Sequence, residues 1–130
     1  MSCILRISGR ELDVDDLIGS TLMIPDSVWR KGPSPDSTGK ETSGARFVAS
    51  EADFSEPSMQ IEEAIAFLRE NRDDLKKALS FPGVECAELD FGTEMRQSAY
   101  GGFRLPPELL SLAGGLGVWI CLSVYPISEL

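Results

Sequence analysis

Histidine is absent from all 130 residues. That removes Ser-His-Asp and Cys-His nucleophile systems, the commonest general base, and nearly every zinc site except an all-cysteine one. Cysteine is scarce. Cys3, Cys86 and Cys121 are widely spaced, odd in number and form no CxxC, so neither a disulfide framework nor a four-cysteine zinc site fits. Each sits in an apolar run, where a free thiol behaves as a small hydrophobe. The expected setting is a reducing, cytoplasmic one. Positive charge is also short, with 12 Lys and Arg against 21 Asp and Glu, a formal net charge of −9. Such a surface repels a phosphate backbone or anionic lipid, so neither nucleic acid nor membrane is expected as a partner, whereas a basic protein is. No apolar run approaches the ~18 residues of a membrane span. The run in "MSCILRISG" is too short for a signal peptide.

What remains is ordinary globular material, 42% hydrophobic and 25% charged, enough for one core and one domain over residues 1–130. "CILRIS" alternates, with Cys3, Leu5 and Ile7 on one face, and predicts a strand. "DVDDLIGS" predicts a short helix with Asp13 as N-cap, Asp15 and Asp16 in the first turn, and Gly19 at its end. "DSVWRKG" predicts a short strand. "GPSPDSTGKETSG" predicts an exposed, mobile loop, and "ARFVASE" the strand returning from it. Ile61, Ala64, Ile65, Leu68, Leu75 and Leu79 form one apolar stripe and predict a long helix over 58–79. "FPG" at 81–83 stops it. Strands are predicted over 84–92 and 98–105, then a helix begun by proline and ended by glycine in "PPELLSLAGG". "LGVWICLSVYP" is apolar on both faces and predicts a central strand. The expected fold is α+β, a mainly antiparallel sheet of five or six strands covered by one long and two short helices. "DVDDLI" and "LPPELL" echo each other after strands, as two related halves of a ferredoxin-like sandwich would.

The motifs with chemical content are few. "SPDSTGKET" invites a phosphate-loop reading, but Ser34 stands where the first glycine belongs and Glu41 where a hydroxyl should hold magnesium. "DVDDLIG" puts Leu17 and Ile18 where a calcium loop needs a ligand and a glycine. Glu88 and Asp90 share a strand face about 7 Å apart, a spacing open to acid–base work, although acids on an alternating strand are usually solvated. No cofactor and no metal is expected.

The pieces together resemble the bacterial domain of unknown function 4279 family. The resemblance runs from Cys3 to Tyr125. It rests on "CILRISGRELDVDDL…VWRKG", "ARFVAS", the long helix and "YGGFRLPPELLSLAGGLGVWICLSVY". Its most recognisable parts are Trp29-Arg30-Lys31-Gly32 and the Gly101–Leu110 stretch. Phe47 stands where that family often has Trp. The resemblance implies a small bacterial α+β protein and no activity.

The expected function is therefore a non-enzymatic protein-binding module, in one version an acidic immunity-type protein masking a basic toxin. Glu85, Glu88, Asp90 and Glu94 are the candidate contacts for such a partner. The alternative is a small-anion binder or enzyme on Trp29, Arg30 and Lys31, with Lys40 adding positive charge nearby. Oligomeric state is not legible in the sequence.

Overall fold

A computed structural model describes residues 3–34, 37–94 and 104–125. In chain order the elements are β1 (Cys3–Gly9), α1 (Val14–Ser20), β2 (Ser27–Trp29), β3 (Gly32–Ser34), β4 (Ser37–Lys40), β5 (Ser43–Ser50), α2 (Pro57–Glu70), α3 (Arg72–Leu79), β6 (Cys86–Glu94), α4 (Pro107–Leu116) and β7 (Trp119–Tyr125). The class is α+β, as expected. Five strands form one sheet in the order β2-β5-β1-β6-β7. Three neighbouring pairs are antiparallel, and β6 and β7 run parallel.

Alternation explains the centre of this sheet. Cys3, Leu5 and Ile7 are fully buried on one face of β1, in register with Phe47 and Ala45 of β5 and with Phe91, Leu89 and Ala87 of β6. Buried apolar residues of all four helices join this face in a single cluster, among them Val14 and Leu17 of α1, Ala64 and Leu68 of α2, Leu75 of α3, Leu109 and Ala113 of α4. Each fully buried Leu, Ile or Phe stabilises by about 1.5–3 kcal/mol before chain entropy is counted. The helices start where the residue types dictate. The Asp13 carboxylate accepts the Asp16 N–H at 3.1 Å, and Pro57 and Pro107 occupy first helical turns.

Four expectations need correction. The long helix over 58–79 is two helices, α2 and α3, broken at Asn71. Its side-chain amide donates to the Phe67 carbonyl at 2.9 Å, and its backbone leaves the helical region at φ −107°, ψ 16°. A local amide of this kind competes with the helical ladder. The loop after Trp29 contains a small antiparallel pair, β3 with β4, separate from the main sheet. The sheet is mixed, and the parallel β6–β7 pair departs from a ferredoxin-like alternation of neighbours. Finally, "LGVWICLSVYP" does not supply a central strand among the described residues. Among the described residues β7 pairs with β6 alone and forms the sheet edge. The expected strand over 98–105 falls mostly on residues 98–103, outside the described residues.

No helix among the described residues is long and apolar enough to cross a membrane.

Candidate functional site

The face of the sheet turned away from the helices carries the polar residues of the central strands. The registers place Arg46, Arg6, Glu88 and Trp119 in one row across β5, β1, β6 and β7, and Val48, Ile4, Asp90 and Cys121 in the next. Arg6 holds both acids, with its Nη1 at 2.8 Å from Asp90 Oδ2 and 3.5 Å from Glu88 Oε1. Ser123 Oγ donates to Asp90 Oδ1 at 2.6 Å. Asp90 is therefore not the solvated acid that alternation suggests. It is only 8% exposed, and its two oxygens are both satisfied.

Glu88, Asp90 and Cys121 bring one donor atom each within 4.8 Å of one another. This is the group among the described residues that could hold a cation. Arg6 already supplies the countercharge for both carboxylates. Partial burial pushes the Cys121 thiol up, and Asp90 and Glu88 push it the same way. A thiol so placed is the opposite of an activated nucleophile, which needs a cation or a helix N-terminus beside it.

Two aromatic rings lie across glycines on this same face. A Cβ at Gly44 would meet the Trp29 ring and would stand 2.6 Å from the Ile7 carbonyl oxygen, so only glycine lets the indole settle onto β5. The indole N–H donates to Thr42 Oγ1 at 3.2 Å. At the other end of the face, a Cβ at Gly92 would stand 2.6 Å from Phe54 Cε1. Phe54 in turn stacks on Tyr125, with centroids 5.3 Å apart and planes 2° from parallel.

The cations next to Trp29 are engaged. Arg30 binds the Asp15 carboxylate through Nη2 at 2.6 Å and Nε at 3.2 Å, and that hydrogen-bonded pairing holds the Asp15 carboxyl below its usual range. Lys31 Nζ lies 3.5 Å from Glu11, and the Lys31 backbone N–H donates to Ser43 Oγ. Lys40 is exposed at the end of β4, opposite Gly32. The four acids do not converge. Glu88 and Asp90 meet on Arg6. Glu85 is drawn to Arg10, whose side chain and backbone N–H both bind it and depress its carboxyl. Glu94 is exposed at the end of β6, opposite Tyr125.

The sequence reading passed over the β7 edge. Trp119 is 71% exposed, and Leu122, Val124, Tyr125 and, on α4, Leu110 are exposed as well. A shallow groove of about 440 Å³, lined by Leu110, Ala113, Val118, Trp119 and Ile120, opens beside it. A second exposed apolar spot, Leu22 and Ile24, follows α1. There Asp74 accepts hydrogen bonds from Thr21 and from the Leu22 and Met23 backbone N–H groups. Trp119 was legible only as part of an apolar alternation, which gives no sign of exposure. No protein-family model matches the chain, and neither a curated protein nor a solved structure does.

Proposed function

We propose that this chain is a non-enzymatic, cytoplasmic protein-binding module whose contact surface is the β7 edge and whose partner is a basic protein. The observation that carries the reading is the character of that edge. Trp119–Tyr125 contains no charged residue and exposes four large side chains, in a molecule of net charge −9. An apolar centre with an exposed Trp, rimmed by charge of one sign, is how protein contact sites are commonly built. On the neighbouring strand, Glu94, exposed opposite Tyr125, supplies the rim, while Glu88 is shared with Arg6. An immunity-type protein that masks a basic toxin is the concrete version, and the resemblance to the domain of unknown function 4279 family belongs to the same proposal.

The alternative, an anion site or enzyme on Trp29, Arg30 and Lys31, has less support because both cations already hold acids. The test is capture at low salt from lysate of the organism of origin, followed by kinetics on the captured protein. The expected partner is basic, its on-rate falls as salt rises, and Trp119→Ala weakens it at least tenfold. A partner indifferent to both salt and Trp119 overturns the reading.

A further inference from the structure

The two edges of the sheet are built differently. β2 is three residues long, preceded by Pro25 and Asp26 and followed by Arg30 and Lys31. Shortness, proline and flanking charge are the usual devices that stop an edge from pairing. β7 has none of them. It is seven residues long, carries no charge, proline or glycine, and stays in regular register with β6 from Glu88↔Trp119 to Glu94↔Tyr125. Among the described residues its other side has no strand against it. In a parallel ladder alternate residues direct their N–H and C=O groups to the same neighbour. Among the described residues, the remaining groups of β7 have no strand to pair with and stand as a template.

We infer that the partner binds by adding a strand to β7, and that this strand alternates Lys or Arg with aliphatic residues. The inference rests on the proposal that the β7 edge is the contact surface, and it deepens that proposal. Its pattern follows from the two faces. On the helix side, Leu122 and Val124 are exposed and would continue onto aliphatic side chains of the added strand. On the other side stand Trp119 and Tyr125, with Glu88 and Glu94 one strand further in. An added strand lies about 5 Å beyond β7 and about 10 Å from β6. A Lys or Arg side chain is long enough to reach back across β7, place its charge over the Trp119 or Tyr125 ring and, at the far end, approach the exposed Glu94. Strand residues alternate between faces, so the partner's sequence must alternate too. A second copy of this chain fits poorly: its β7 offers no cation, and each copy carries −9.

The probe is a synthetic nine-residue peptide alternating Lys and Val, titrated into the full ¹⁵N-labelled chain. Controls replace every Lys with Glu or N-methylate alternate backbone amides. Expected results are chemical-shift changes centred on β7, at least tenfold weaker binding to Trp119→Ala and Val124→Lys, and loss of binding with either control peptide. Shifts centred elsewhere, equal affinity for the N-methylated or Glu peptide, or no binding overturn strand addition. So does protection of every β7 amide from exchange in the free chain, since the edge is then already paired. Self-association that Val124→Lys abolishes would assign the edge to a second copy instead. Suppose the captured basic protein needs Trp119 while the peptide ignores N-methylation: strand addition falls and the module reading stands. A captured protein indifferent to Trp119 removes the module reading, whatever the peptide does.

Discussion

Replacing Arg6 with methionine takes away the cation that sits on both Asp90 and Glu88. Methionine keeps the unbranched stem and leaves the packing of β1 close to unchanged. What changes is electrostatic, because the Asp90 carboxylate is left buried with Ser123 as its remaining hydrogen-bond partner. Breaking a fully buried pair costs about 3–5 kcal/mol. Here the Asp90 side chain is 10% exposed but that of Arg6 is 35% exposed, so water recovers part of the loss. The expected cost is about 2 kcal/mol, between the buried and surface limits. Urea unfolding measures it as a lower midpoint at unchanged slope. The mechanism makes a second, sharper demand. If the cost is the uncompensated charge, adding Asp90→Asn to Arg6→Met should restore about 1 kcal/mol, since the amide has no charge to strand. The two substitutions must then couple. A loss below about 0.5 kcal/mol for Arg6→Met, the range of ordinary surface changes, would refute the reasoning. So would a double variant whose loss equals the sum of the singles.

Gly44→Ala drives a methyl group into the Trp29 ring and toward the Ile7 carbonyl; a loss of about 1–3 kcal/mol and a red-shifted Trp emission are expected, and an unshifted spectrum would mean that the ring does not rest there. Leu5→Ala, fully buried at the sheet centre, should cost about 2–5 kcal/mol. Ile120→Ala on the half-buried edge should cost roughly half as much, and chemical denaturation of the pair ranks the two positions directly. Hydrogen bonds from Arg30 and Arg10 hold the carboxyls of Asp15 and Glu85 below their unfolded values. Their stabilisation is therefore present above the ordinary carboxyl range and is lost as pH falls through the depressed folded values. Urea midpoints followed downward from pH 7 should decline less steeply in an Arg10→Gln/Arg30→Gln variant, and the difference should shrink in high salt.

The centre of the sheet was readable because β1, β5 and β6 each bury one face, and a buried face writes itself as period-two alternation. The cap at Asp13 was readable for a similarly local reason. The break at Asn71 was hidden because Leu68 and Leu75 lie seven residues apart, so the apolar stripe keeps its phase across the interruption. β7 reads as interior because apolar residues lie on both its faces, whereas among the described residues it pairs on one side alone. The hairpin of β3 and β4 is written in Gly, Pro, Ser, Thr and Lys and left no apolar alternation to read. Glu88 and Asp90 stood out as a pair on one strand. Their real partners did not, because Arg6 is 84 residues from Asp90 and Ser123 is 33 away. Strand order alone makes them neighbours, and alternation carries no information about strand order.

The position of β1 has a consequence for synthesis. The strand at the middle of the sheet is translated before both of its neighbours. β5 can close the first antiparallel pair once Ser50 has emerged, but the second side of β1 stays unpaired until β6 is complete at Glu94. At ~5–20 residues per second, the 44 residues from Ser50 to Glu94 take roughly 2–9 s. During that time Leu5 and Ile7 have half a sheet and no finished helical layer to cover them. A translational pause between Ser50 and Cys86 would prolong this state. It presents a bare central strand, and it is when a nascent chain is most open to pairing with its neighbour on the same message.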